Sequence, residues 1–282
     1  MRERMCRLIA LVDQHPDNYT LSRLVWAFVE SSRFDEYLSR LTNGRTYSHD
    51  DGWGLAGVGV VRSDFAVVYH RSLLPLFSPS SIVELQLLLD RLKRYDSIYF
   101  IAHARKSSRG EPYGLEYTHP FKFELGGGVF WFAHNGGLDK KSLAKMLGVN
   151  PWVHVDSELA GMYLARRLSE CESGLEDCLL DAYRGLAKYT TSGLNTLLLL
   201  LSGENTRLFV THFFKKTGDG ARDEALREYF QLYLLEDGHL KAVVSSTVTR
   251  YYGGGGFKPL DEGLYELGLS GLRRVGDIGV ES

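Results

Sequence analysis

Apolar and polar residues alternate in short blocks along most of the chain. Apart from Arg7, the run Cys6 to Val12 is apolar and too short for an ordinary helix, so it reads as a strand. Thr20 to Leu41 reads as a helix: Leu21, Leu24, Val25, Phe28 and Val29 recur at three- and four-residue spacing, and Thr20 can serve as N-cap. A polar, turn-rich stretch follows, Asn43 to Asp51. Gly54 to Val61 and Phe65 to Arg71, joined by Arg62, Ser63 and Asp64, form a hairpin pattern. Ser81 to Leu92 reads as a helix and Ser97 to His103 as a buried strand. Arg105 to Lys122 has no period and reads as a long loop, which in a compact domain is usually functional or disordered. Val129 to Ala133 reads as a strand ending at His134-Asn135-Gly136-Gly137. Asp139 to Leu147, Asp156 to Leu168 and Leu175 to Tyr189 read as helices. Asn195 to Leu201, Arg207 to Phe214, Glu228 to Leu235 and Leu240 to Ser246 read as strands, and the last 25 residues have weak periodicity.

Strands cluster, helices cluster, and strands return. That order is unlike the strict alternation of a parallel doubly wound sheet. It predicts an α+β fold, with largely antiparallel sheets packed on each other and covered by helices. No repeat, low-complexity tract or linker requires a second domain in the 282 residues. No apolar run of about 18 residues is present, which excludes a spanning helix. The basic start has too short an apolar run behind it for a secretory signal. The formal net charge of −2 gives no general attraction to nucleic acid or anionic membranes. Cys6, Cys171 and Cys178 are too few for a disulfide framework, and no Cys-x-x-Cys pair suggests zinc. A reducing cytoplasm is therefore the expected setting.

A lone cysteine is more often a small buried hydrophobe than a nucleophile, but Cys6 directly follows Met5. Were Met5 the start and then removed, Cys6 would carry its own free α-amine. With a pKa of about 7.7–8.0, that amine could take the thiol proton near neutrality. His134-Asn135-Gly136 reads either as an Asn-Gly turn or as an oxyanion hole, built from a side-chain amide and a glycine N–H. Arg105 is either a solvated surface residue or a bidentate clamp on a carboxylate. Asp156-Ser157-Glu158 has the composition of a helix start, and Asp156 could also pair with an ammonium. His49-Asp50-Asp51 is a weak candidate for metal binding. Gly253 to Gly256 lacks the spacing of a phosphate loop, and no Gly-x-Ser-x-Gly elbow is present.

In order along the chain come Met5-Cys6-Arg7-Leu8, His49-Asp50-Asp51-Gly52-Trp53-Gly54, Ala102-His103-Ala104-Arg105, Thr118-His119-Pro120-Phe121, Phe132-Ala133-His134-Asn135-Gly136 and Asp156-Ser157-Glu158. This series resembles the class-II glutamine amidotransferase domain of the N-terminal-nucleophile hydrolase superfamily, from Cys6 to about Ser246. It is most similar to the stand-alone subgroup, which includes γ-glutamyl hydrolases of thiol metabolism. The resemblance implies a four-layer αββα sandwich. It also implies roles: Cys6 as nucleophile, Asn135 and Gly136 as oxyanion hole, Arg105 holding the glutamine α-carboxylate and Asp156 its α-amine. Ser107, Ser108 and His119 lie where such enzymes shape the glutamine pocket.

The resemblance implies an amide hydrolase that needs no metal or organic cofactor. It would cleave glutamine or a γ-glutamyl compound through a Cys6 thioester, with the Cys6 α-amine as base. Relatives usually begin Met-Cys, whereas Met1 to Arg4 precede that pair here. Residues 1–5 are therefore expected to be an extension or propeptide projecting away from a single domain, residues 6–282. With 36 residues after Ser246, no acceptor domain is expected. Two alternatives stand beside the hydrolase: a subunit supplying ammonia to a separate synthase partner, and a catalytically silent γ-glutamyl-binding protein.

Overall fold

The computed structural model describes residues 5–16, 19–62, 64–107 and 110–279. The chain forms β1 (Arg7–Gln14), α1 (Thr20–Arg33), α2 (Glu36–Leu41), β2 (Trp53–Val61), β3 (Asp64–Ser72), α3 (Pro79–Leu92) and β4 (Ser97–Ala104). Next come β5 (Phe121–Leu125), β6 (Gly128–Leu138), α4 (Lys140–Leu147), α5 (Asp156–Ser169), α6 (Leu175–Ala187), β7 (Thr190–Ser202) and β8 (Asn205–His212). The last elements are α7 (Gly220–Phe230), β9 (Leu232–Asp237), β10 (Leu240–Ser245), α8 (Ser246–Tyr252), β11 (Lys258–Pro259), β12 (Gly263–Gly268) and β13 (Gly271–Gly276).

The strands make two antiparallel sheets, in the orders β11-β9-β10-β1-β4-β2-β3 and β13-β12-β8-β7-β6-β5. Successive side chains of a strand point to opposite faces, and here both faces of each sheet are covered. In β1, Leu8, Ala10 and Val12 pack between the sheets, whereas Ile9 and Leu11 meet α1, α3 and α8. In β7, Leu197, Leu199 and Leu201 face the first sheet, while Leu198 and Leu200 meet α4, α5 and α6. This two-sided burial is why both strands read as continuous apolar runs, where a strand with one wet face would alternate. The result is the expected four-layer αββα sandwich. Among the described residues, no helix is long and apolar enough to cross a membrane.

Several expectations require correction. The helix expected over Thr20 to Leu41 is two helices. The chain extends at Phe34, and the Asp35 carboxylate accepts from Tyr37 and Leu38 N–H to cap α2. Thr20 is not the cap of α1, whose N-cap is Tyr19 with no side-chain bond. Strand β6 does not turn at His134; it continues to Leu138, paired with β7 through Gly136 and irregular only after it. The loop expected to reach Lys122 is shorter, because β5 begins at Phe121 and pairs with β6. Glu228 to Phe230 are the end of α7 and not strand, so β9 starts only at Leu232. The weakly periodic tail contains the β12–β13 hairpin, whose short strands fall under a longer-range pattern. A disulfide joins Cys171 to Cys178, which the cysteine count did not anticipate. Met5, expected to project outward, is buried against Leu38, Phe214, Leu226, Tyr229 and Phe230. Met1 to Arg4 and Ser108 lie outside the described residues.

The layered packing yields a stability contrast. Leu199 is fully buried between the sheets, whereas Leu87 on α3 is 61% exposed. Leu199→Ala should cost about 2–5 kcal/mol from lost transfer energy and a residual cavity. Leu87→Ala should stay within about 0.5 kcal/mol of the parent. Denaturant unfolding of the two variants checks this, and equal losses would contradict the layer assignment.

Candidate active site

One end of the sandwich gathers the polar residues. β1 and β4 are antiparallel and Arg7 pairs with Ala104, so Cys6 at the entry to β1 lies beside Arg105 and Lys106 at the exit of β4. From the second sheet, β6 delivers His134, Asn135 and Gly136, and α5 opens with Asp156. A pocket lined by Cys6, Arg105, Lys106, Ser107, Glu111, Tyr117, His119, His134, Gly136, Val155, Asp156 and Ser157 lies between them.

Cys6 is buried. Its backbone N–H donates to Asn135 Oδ1 at 2.9 Å, and its carbonyl accepts from Tyr229 Oη at 3.1 Å. Lys106 N–H points at Cys6 Sγ at 3.5 Å. Burial pushes the thiol pKa up to about 11, against a smaller lowering by the Lys106 backbone and the Arg105 charge.

Asn135 Nδ2 is buried and, among the described residues, has no hydrogen-bond partner. Leaving such a donor unpaired is costly, and its residue lies against the Cys6 backbone. Gly136 has φ +151°, and a Cβ there would lie 1.8 Å from Gly193 O, so glycine is required. The frame behind is locked. Asn195, opposite Asn135, takes hydrogen bonds from His212 Nδ1 at 2.9 Å and Phe213 N–H at 3.3 Å, and gives one to Phe230 O at 2.5 Å.

Arg105 is not the solvated residue of its simpler reading: it is 4% exposed. One guanidinium nitrogen donates to Pro112 O at 3.3 Å, the Tyr113 ring lies 5.6 Å away, and Nη1 has no partner among the described residues. Burial lowers its pKa, but an arginine remains charged. Asp156 is also buried. Its Oδ2 accepts from Leu138 N–H at 2.9 Å and its Oδ1 from Ser157 N–H at 2.7 Å, so it ties the end of β6 to the start of α5. Ser107 N–H donates to Asp51 Oδ2 at 2.8 Å. His119 stacks on His103 with ring centroids 4.0 Å apart. Burial keeps both imidazoles well below their usual pKa, and their ring nitrogens have no partners among the described residues. The site thus brings together Cys6, Asn135, Gly136, Arg105, Asp156, Ser107 and His119.

The family profile of class-II glutamine amidotransferases matches residues 5–213, about three quarters of the chain. The chain belongs to that family. A Haemophilus influenzae protein named as a glutamine amidotransferase is 32% identical over 161 residues, covering 52% of this chain and 49% of the relative. The Escherichia coli protein YafJ, named likewise, is 39% identical over 70 residues, 25% of this chain and 27% of its own. The aligned part thus spans about half or less of the curated relatives' length. A solved structure of the allosteric regulatory enzyme of purine biosynthesis superposes with a TM-score of 0.55 over 95% of this chain and 49% of its own, at 14% identity, which shows a shared fold.

In this member of the class-II glutamine amidotransferase family, sequence reasoning missed a buried network behind Cys6. Arg7, fully buried, forms an ion pair with Asp35, and Asp35 Oδ2 lies 2.8 Å from His49 Nε2. Thr247 Oγ1 donates to Asp35 at 2.7 Å, and the Arg7 guanidinium lies 4.1 Å from the Tyr229 ring centre. The visible signal was Arg7 itself, a cation inside an apolar strand run. His49, weighed as a metal ligand, faces Asp35 and Met5, while Asp50 and Asp51 pair with Lys106. Lys140 on α4 reaches across to Glu111 in the pocket wall at 2.8 Å.

The thiol environment can be tested on the full chain. With Cys171 and Cys178 joined, Cys6 is its free cysteine. Iodoacetamide reacts with thiolate, so the Cys6 alkylation rate should rise about tenfold per pH unit from pH 8 to 10. A plateau by pH 9 would contradict a thiol raised to about 11.

Proposed function

We propose that this amidotransferase-family chain hydrolyses the γ-amide of glutamine or a γ-glutamyl compound through a Cys6 thioester. The convergence of Cys6, Gly136 and the buried Arg105 on one pocket, with Asn135 bonded to the Cys6 N–H behind it, carries this reading. Arg105 supplies a bidentate fork for the α-carboxylate, with Asp156 taking the α-amine. Once the chain begins at Cys6, the α-amine removes the thiol proton and Sγ attacks the γ-carbonyl carbon. Asn135 Nδ2–H and Gly136 N–H then stabilise the oxyanion, one such donor being worth about 3–4 kcal/mol. The C–N bond breaks as the α-ammonium returns the proton to the departing ammonia or amine. Water attacks the thioester by the same route, releasing glutamate and the thiol.

In the chain as given, Cys6 nitrogen is an amide whose lone pair is delocalised, so it has no basicity to offer. The 282-residue form should therefore be inactive or nearly so. A form beginning at Cys6 should release glutamate from glutamine, and Cys6→Ala in that form should not. Coupled glutamate detection on the three proteins checks this. Full-rate hydrolysis by a chain that retains Met1 would overturn the α-amine mechanism.

Substrate grip gives a second test. Arg105→Lys should raise KM for glutamine by roughly 10–100-fold, the worth of a charged hydrogen bond, with a smaller effect on kcat. Nα-acetylglutamine should be a poor substrate for the parent enzyme. Equal handling of glutamine and its Nα-acetyl derivative would remove the role given to Asp156.

A further inference from the structure

The hydrogen-bond chain behind Cys6 has a polarity that the full-length chain does not satisfy. Asp35 accepts from Tyr37 N–H, Leu38 N–H and Thr247 Oγ1, and pairs with Arg7. Burial alone would raise its pKa, but Arg7 and His49 overcome this and hold it ionised. A carboxylate 2.8 Å from His49 Nε2 fixes a proton on that nitrogen, so the neutral ring presents a bare lone pair at Nδ1. Nδ1 lies 3.1 Å from the Met5 carbonyl oxygen, which is also only an acceptor. Burial, with a smaller effect from Arg7, lowers the ring's pKa, against Asp35 and the Met5 carbonyl, which raise it. With a single ring proton, held toward Asp35, Nδ1 and the Met5 oxygen are two acceptors facing each other in a fully buried site.

A free amine at Cys6 removes that conflict. Its nitrogen is the next atom after the Met5 carbonyl carbon, and the same nitrogen already donates to Asn135 Oδ1 at 2.9 Å. We propose that His49 is a positioning residue for the α-amine of a chain beginning at Cys6, accepting a hydrogen bond at Nδ1 directly or through one water in the place of the Met5 oxygen, with Asp35 fixing its tautomer. This rests on the proposed hydrolase reading. A neutral amine has two N–H bonds and one lone pair. One N–H goes to Asn135 and the other toward His49, which leaves the lone pair for the thiol proton. Rotation about the Cα–N bond is thereby restricted, and the base is preorganised. The other charged or titratable groups around this point are Arg7 on β1, Tyr229 on α7, His103 on β4, Arg105 and Lys106 beyond β4, and Asp51 before β2.

Two substitutions separate positioning from mere packing. In His49→Gln the longer amide can still donate to Asp35 but offers nothing at the Nδ1 position. In His49→Asn the shorter amide oxygen replaces Nδ1 and the Asp35 contact is lost. Both are made in the complete chain carrying a cleavable leader in place of residues 1–5, folded first and then cut to begin at Cys6. His49→Gln should lower kcat by about tenfold or more, shift the acid limb of the kcat–pH profile, and leave KM for glutamine within about twofold. His49→Asn should retain most of the parent kcat. The reverse order, with Gln benign and Asn damaging, would reduce His49 to an anchor for Asp35 and overturn the proposal. Nitrogen-15 NMR of the labelled parent needs no variant: His49 should be the neutral Nε2–H tautomer at pH 7, and a proton on Nδ1 would also overturn it. A parent without glutaminase activity would instead defeat the hydrolase reading, while the tautomer measurement would still decide the role of His49.

Discussion

A fully buried cation at the first position of β1 organises this protein. Arg7 cannot be left unpaired away from water, and removing one partner of such a pair typically costs about 3–5 kcal/mol. Asp35 meets that demand from the break between α1 and α2, with Thr247 of α8 and the N–H groups of α2 holding the carboxylate. Tyr229 at the end of α7 supplies both a ring face and a carbonyl to the guanidinium. Four helices distant in sequence are thereby fixed around the residue that follows Cys6. The strand entry cannot shift without separating a buried charge pair, so the backbone at Cys6 is set by electrostatics as much as by the sheet.

The second sheet contributes the opposing wall. Asn135 and Gly136 are held in register with Asn195 and Leu194, and Asn195 is itself locked by His212 and Phe230. An oxyanion donor is effective when it needs no reorganisation as charge develops. A side chain on a paired strand meets that condition better than one on a mobile turn. Asp156 completes the link: its carboxylate binds Leu138 N–H, so the residue assigned to the substrate amine also sets where β6 ends.

Much of this was legible in the sequence, and the failures share a cause. Strands β1, β2, β4 and β7 announced themselves because residues buried on both faces leave long apolar runs. The αββα arrangement and the site residues followed from the ordered motifs and the resemblance they carry, since Cys6, Arg105 and Asn135 have no distinguishing pattern of their own. Local pattern failed where distant contacts decide conformation. Phe34 and Asp35 interrupt a helical stretch because Asp35 must reach Arg7. His134 to Gly137 look like a turn, yet pairing with β7 keeps Asn135 and Gly136 extended. Glu228 to Phe230 read as strand because Tyr229 and Phe230 are buried, but their partners are Met5 and Arg7 rather than a neighbouring strand. The buried network could have been suspected only from Arg7, a charge without a visible partner in its own segment.

The same electrostatics bear on why Cys6, in the proposed mechanism, would need its own base. In the free site, Arg105 is one of the groups that lower the Cys6 thiol pKa, against a larger rise from burial. In the proposed complex the substrate α-carboxylate neutralises much of that charge and displaces water from the pocket. Both changes make the thiolate harder to form at the moment it is required. Arg105 cannot repair this, because in the proposed complex the substrate itself cancels its charge. In the proposed mechanism an amine on the same residue can, since it takes the proton and leaves an ammonium beside the thiolate. Under the proposed mechanism, substrate grip through Arg105 and proton removal through the α-amine would be complementary requirements: the more closely the carboxylate is held, the more the thiol would depend on a base on Cys6 itself.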